Sequence, residues 1–133
     1  MTPEDLAAMS RLAALGSYSP YSRFRVGAVA VAEDGTVFTG ANVENAAYPV
    51  SSCAEATVIG HAVSQGVRRI PTIAVACIDA ADIEGAYPCG RCRQIMSEFG
   101  IEEVYVTTAA GEVRRHTLDE LLPHRFSLPP GTT

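Results

Sequence analysis

The sequence predicts an α/β domain: a five-stranded mixed sheet with helices on both faces, three layers in all. Three observations carry that prediction. Apolar runs at residues 26–32 (VGAVAVA) and 72–78 (TIAVACI), dominated by small and β-branched side chains, read as strands buried on both faces. Stretches of helix formers closed by Gly16, Gly66 and Gly100 separate the strands. The order that results is helix, two strands, helix, strand, helix, two strands and a short helix, which suits helices packed on a mixed sheet.

The first helix opens at Thr2, with Pro3 in its first position and Asp5 three residues beyond the cap, as in a capping box. Leu6, Met9, Leu12 and Ala13 recur at helical spacing, so this helix is expected to pack and to carry no chemistry. A polar and aromatic loop, residues 18–24, leads into the first strand. Asp34-Gly35 is a turn signal, so residues 36–40 should return as the second arm of a hairpin. Residues 42–46 (NVENA) then gather amide and carboxylate groups in one loop, which composition alone reads as turn chemistry.

Cys53 stands at the start of the second helix, expected over residues 54–65. Cys77 falls inside the third strand with no partner at ligand spacing and reads as a small core hydrophobe. Residues 79–87 are expected to be loop. Pro88 leads into a third helix from about residue 89 to 99, followed by strands near 104–107 and 112–116. Thr117 to Glu120 repeats the capping-box pattern before a short helix that Pro123 ends. The expected organisation is one domain over residues 1–126 with a mobile tail over 127–133.

A chain of 133 residues buries a core without disulfide staples, and an apolar fraction of 47% leaves room for a subunit interface. There is no run long enough to span a membrane, and the acidic N-terminal stretch MTPEDLAAM is unlike a secretory leader. Both point to the cytoplasm, where four cysteines are metal ligands, catalytic groups or packing rather than disulfides. A net charge of −5 disfavours a polynucleotide partner.

The chemistry concentrates at two helix starts. Cys89 and Cys92 are three apart, so at the beginning of a helix both thiols lie on one side and grip one ion. A redox dithiol is the competing reading, but that motif belongs in the first turn after an early strand, and here a third cysteine, Cys53, is already in place. Three cysteine ligands leave the fourth zinc position open, as catalytic sites do, and none of His61, His116 or His124 stands at a spacing that closes it. Glu55, two residues beyond Cys53, points away from it on a helix and is not a ligand, yet from the first turn it reaches water at the open position. Three thiolates on Zn²⁺ leave a net negative centre. Two helix N-termini offset part of it, and Arg91, inside the clamp, or Arg93 is the nearest cation in sequence.

These residues resemble the cytidine deaminase family, small zinc enzymes of nucleoside salvage. The resemblance runs from about Tyr18 to Phe126 and rests on the motifs YSRF with VGA (21–28), residues 42–45, Cys53-Ala54-Glu55, PCGRCRQ (88–94) and LLP (121–123) followed by Phe126. It implies a cytidine deaminase-like fold with one zinc per subunit on Cys53, Cys89 and Cys92. By the same resemblance, hydroxide held by that zinc would attack C4 of cytidine or deoxycytidine and Glu55 would shuttle the proton, with ammonia and the uridine as products. It further implies that Asn42 and Glu44 hold the ribose, overriding the turn reading, that Phe24 packs on the base, and that the Ala54 backbone and Glu55 read its polar edge. A homotetramer is implied, in which Ala46, Tyr48 and Phe126 serve neighbouring sites. One departure stands out. Many relatives carry arginine directly after the glutamate, where this chain has Ala56, so Arg91 is expected to supply the missing counter-charge. Blasticidin S-type deaminases share both the non-arginine residue and the CGRCRQ clamp, and a structural zinc module is the alternative from another class. The loop at 42–46 and Phe24 favour a ribonucleoside.

Overall fold

The computed structural model describes residues 1–131, and every expected element forms within them. In chain order they are α1 (Pro3–Ala14), β1 (Val26–Val31), β2 (Val37–Ala41), α2 (Ala54–Ser64), β3 (Thr72–Cys77), α3 (Gly90–Glu98), β4 (Glu103–Thr108), β5 (Val113–Thr117) and α4 (Leu118–Leu121). Both capping boxes are made, at Thr2 with Asp5 and at Thr117 with Glu120. Two short 3-10 turns, Tyr48–Val50 and Ile83–Ala86, occupy segments for which no regular structure was expected. Of the tail expected to be mobile, residues 127–131 are irregular and exposed and 132–133 lie outside the described residues.

The strands form one sheet in the order β2-β1-β3-β4-β5. The β1–β2 hairpin turns at Gly35, whose φ of 91° suits a residue without a side chain. β3 and β4 run parallel, as a crossover through α3 requires, while the other neighbours are antiparallel.

Alternation along the strands divides the core between the two faces. On one, Ala28, Ala30, Ile73, Val75, Val104 and Val106 pack with Ala54, Val58, Ile59, Cys92 and Met96 of α2 and α3. On the other, Val29, Ala74 and Tyr105 pack under Leu6 of α1. The three-layer expectation therefore holds. No helix among the described residues is long and apolar enough to cross a membrane.

The buried stripe of α1 differs from the expected one. Leu6, Ala7, Ser10 and Ala14 face the sheet, whereas Leu12 is 68% exposed. The reason lies in β1. A Cβ placed on Gly27 would stand 2.1 Å from the Ser10 carbonyl oxygen and 2.3 Å from the Ala14 nitrogen. At so close an approach of helix to strand, only small side chains fit between them. Ser10 satisfies its own hydroxyl by donating to the Ala7 carbonyl at 2.8 Å.

Candidate active site

Two helix starts meet on the α2/α3 side of the sheet. Cys53 is the N-cap of α2 and Cys89 the N-cap of α3, both with extended backbone, and neither thiol caps its own helix. Their sulfurs are thus free of local backbone duty and lie, with that of Cys92, within 4.8 Å of one another. Thiolates about 2.3 Å from a tetrahedral zinc sit roughly 3.8 Å apart, so the trio has the size and the donor chemistry for that ion. All three are free thiols, and among the described residues no fourth His, Cys, Asp or Glu joins them. His61 instead lies edge-on to Phe38, and His116 is bonded to Tyr87.

The three sulfurs bear on one another's protons. The Cys53 thiol is lowered to about 6, first by hydrogen bonding from Cys92, then by Cys89 and by the charge of Arg91. The buried Cys92, as the donor to Cys53, is raised. The opposite shifts follow from one set of contacts, with Cys53 as acceptor and Cys92 as donor.

Glu55 follows in the first turn of α2, is only 4% exposed, and lies in the same cavity as Cys53 and Cys89. Its carboxyl is raised to about 7, chiefly by burial, with the negative charge on Cys53 adding to the shift. A carboxyl poised near neutrality both takes and gives a proton at physiological pH.

The cavity measures about 390 Å³, within the range of small-ligand sites, and is lined by Phe24, Asn42, Glu44 and Ala54 besides these residues. Asn42 is buried where β2 ends. Its Nδ2 donates to the Phe24 carbonyl at 2.8 Å, and its Oδ1 accepts from the Val26 N–H at 3.0 Å and from the Ser17 hydroxyl. These backbone partners fix which way the amide faces, and they leave one N–H of Asn42 over. Glu44 is gripped by the preceding loop: Oε1 accepts from the N–H groups of Tyr21 and Ser22, both at 3.1 Å, and Oε2 accepts from the Ser22 hydroxyl. That grip, the Ser22 hydroxyl first, holds the carboxylate below its usual range. The same Ser22 oxygen accepts from the Phe24 N–H at 3.0 Å, and Arg23 between them takes a left-handed φ of 57°.

Three expected binding residues lie apart from this cavity within a single chain. Ala46 is exposed, Tyr48 is 72% exposed and Phe126 is 66% exposed. Tyr48 borders an adjoining depression that shares Ser22 and Glu44 with the cavity. Arg91 is exposed and makes no hydrogen bond or ion pair among the described residues, yet its charge acts on Cys53. Arg93 is committed elsewhere, donating to the carbonyls of Pro88 at 2.8 Å and Leu121 at 2.7 Å.

Sequence reasoning missed several lining residues: Ser22, Val26, Cys77, Gly85, Ala86 and Tyr87. Cys77 is buried as expected, but it ends β3 opposite Val26 and so reaches the cavity. Its position at the carboxyl end of a strand, where α/β sheets bind ligands, was the available signal.

The comparisons with known proteins agree with this geometry. Residues 2–108 match the family described as the cytidine and deoxycytidylate deaminase zinc-binding region. A cytidine deaminase from Sporosarcina psychrophila is 46% identical over 130 residues, covering 96% of this chain and 93% of that one. One from Mycobacterium tuberculosis is 45% identical over 116 residues, 87% of this chain and 83% of its own. The crystal structure of cytidine deaminase from Burkholderia pseudomallei superimposes with a TM-score of 0.87 at 42% identity, over 95% of this chain and 100% of that one. Since the matched region takes in the Cys53–Glu55 helix start and the Cys89–Cys92 clamp alike, the chain belongs to the family of cytidine and deoxycytidylate deaminases.

Proposed function

We propose that this protein hydrolyses cytidine and deoxycytidine to the corresponding uridines and ammonia. The observation that carries the reading is the burial of Glu55 beside three converging cysteine sulfurs, in a cavity that also holds Asn42 and Glu44. Cys53, Cys89 and Cys92 are the ligands of one zinc. Bound there, zinc supplies Lewis acidity and makes water a nucleophile at neutral pH.

The chain's own groups do the rest. Glu55 takes one proton of the attacking water and delivers it to the ring nitrogen, then takes the remaining proton from the new C4 hydroxyl and delivers it to the amine as the C4–N bond breaks. Water's oxygen stays on C4 as the carbonyl and nitrogen leaves as ammonia. Phe24 packs on the base, and the Ala54 backbone and Glu55 read its polar edge. At the ribose, the remaining N–H of Asn42 donates to one hydroxyl, and the carboxylate of Glu44, kept ionised by Ser22 and Tyr21, accepts from another. Arg91 supplies counter-charge to the thiolates from the rim. Residues 1–126 act as one domain with 127–133 as a tail. Four subunits assemble in the cytoplasm, and Ala46, Tyr48 and Phe126 complete neighbouring sites.

An ultraviolet assay on cytidine, deoxycytidine and blasticidin S, with zinc measured on the same sample, tests the reading. The expected result is turnover of both nucleosides at one zinc per chain. Glu55→Gln is expected to keep its zinc and fold and to lose about 10²–10⁴ in kcat. Retained turnover in that variant rejects the assignment of Glu55, and preference for blasticidin S rejects the nucleoside.

A further inference from the structure

The proposed reaction gives Phe24 the base and Glu44 the ribose, and one small side chain touches both residues. Ser22 stands two positions before Phe24 and 22 before Glu44, and it lines the same cavity as they do. Its hydroxyl donates to Glu44 Oε2 and accepts from the Phe24 N–H at 3.0 Å. The direction of each bond is forced. An ionised carboxylate only accepts and a backbone N–H only donates, so the one proton of the hydroxyl goes to Glu44 and a lone pair is left for Phe24.

The loop around Ser22 is shaped for this bridge. The left-handed φ of 57° at Arg23 turns the chain so that the Ser22 hydroxyl meets the N–H two residues on. The Arg23 N–H is held by the Ser19 carbonyl at 2.9 Å and the Glu44 N–H by the Tyr18 carbonyl at 2.8 Å, which ties loop and carboxylate together at a second point. On its other side, the Phe24 carbonyl accepts from Asn42 Nδ2 at 2.8 Å. Both polar groups of the Phe24 backbone thus lead to a residue assigned to the ribose: the carbonyl directly to Asn42, and the N–H through Ser22 to Glu44. Ser22 is itself exposed, so its hydroxyl can be removed without opening a void in the core.

We propose that Ser22 is a positioning residue that joins ribose recognition to base recognition: its hydroxyl holds the Glu44 carboxylate and the Phe24 backbone as one unit. A nucleoside whose sugar engages Glu44 then meets a base platform already in register. This inference rests on the nucleoside deaminase reading.

The test measures kcat and KM of zinc-loaded wild type, Ser22→Ala and Ser22→Thr on cytidine and on 2′,3′-dideoxycytidine, which lacks both sugar hydroxyls within reach of Asn42 and Glu44. Ser22→Ala is expected to raise KM for cytidine about tenfold, the worth of a hydrogen bond to a charged group. For the dideoxy analogue the rise is about threefold, the share that passes through Phe24 alone. The preference for cytidine over the analogue therefore falls about threefold, and Ser22→Thr, which keeps the hydroxyl, restores it. Added to Glu44→Gln, Ser22→Ala should change that preference no further, because the carboxylate through which it acts is gone. General damage to the fold lowers both substrates together. An unmoved preference, an equal loss in Ser22→Thr, or a dideoxycytidine KM that Ser22→Ala leaves unchanged overturns the proposal. Wild type without turnover of cytidine rejects the deaminase reading itself, whereas active wild type with an unmoved preference rejects only the role of Ser22.

Discussion

At the scale of single residues the central question is how three thiolates share a small space. Three sulfurs within 4.8 Å repel one another once ionised, so the chain must bring positive charge to them. The N-termini of α2 and α3 supply partial charges, since Cys53 and Cys89 are their caps. Arg91 is the full charge that bears on Cys53, while Arg93 is occupied with the carbonyls of Pro88 and Leu121. We predict that Arg91→Ala weakens zinc binding by about tenfold, the low end for groups beyond the ligands, because the side chain is exposed. Competition with a chelator at low salt measures this, and the difference should shrink as salt rises. Equal zinc affinity in the two proteins removes Arg91 from the role.

At the scale of elements, the site depends on how closely helices approach strands. Gly27 lets α1 settle on β1, and Gly40 does the same for α2 on β2, where a Cβ would come within 2.9 Å of the Val58 nitrogen. Gly27→Ala forces backbone against backbone, and we expect a loss of about 3 kcal/mol or more, seen as a fall in Tm of roughly 10 °C. A variant melting with wild type contradicts the contact. The ends of β1 and β3 that frame the cavity are tied by Arg25, whose guanidinium meets both oxygens of Asp79 at 2.9 Å and whose N–H donates to it at 2.8 Å. Those bonds hold the Asp79 carboxyl down to about 2, below its unfolded value of about 3.9. A depressed carboxyl stabilises the fold above its unfolded pKa and ceases to as pH falls through its folded one. The Tm gap between wild type and Asp79→Asn should therefore be constant from pH 5 to 8 and close between about pH 4 and 2; a gap that widens on acidification is the contrary outcome.

At the scale of the whole molecule, a single chain leaves several large apolar side chains exposed outside the cavity. Tyr48, Val50 and Phe126 are 72%, 68% and 66% exposed, and Tyr21, which stacks edge-on with Tyr48, is 50% exposed. The proposed tetramer gives these groups a purpose. Sedimentation should find a particle of about 56 kDa, four times the 14.0 kDa chain. Phe126→Ala should lower kcat/KM about tenfold while sparing zinc content, as loss of a buried aromatic contact at a shared site would. A monomer with full activity, or an unaffected Phe126→Ala, breaks the shared-site reading.

Much of this was readable in the residues alone because it depends on local rules. Capping boxes at Thr2 and Thr117, the Gly35 turn and the glycines after α2 and α3 mark elements through backbone preferences that act within a few positions. Helix spacing alone places Cys89 and Cys92 on one side, and the net charge of three thiolates calls for a cation. The stripe of α1 was misjudged at Leu12 because the packing face is set by Gly27, which lies on another element. Ser22 and Cys77 escaped for the same reason: each reaches the cavity through a pairing with a residue distant in the chain, Glu44 and Val26. By itself, then, the sequence determined the elements and singled out the cysteine trio and Glu55 as candidates, since ligand chemistry and helix geometry are local. Only the tertiary structure decided the cavity's walls, the burial that raises Glu55 and the engagement of Arg93 with backbone carbonyls, because desolvation and long-range hydrogen bonds exist only once the layers have packed.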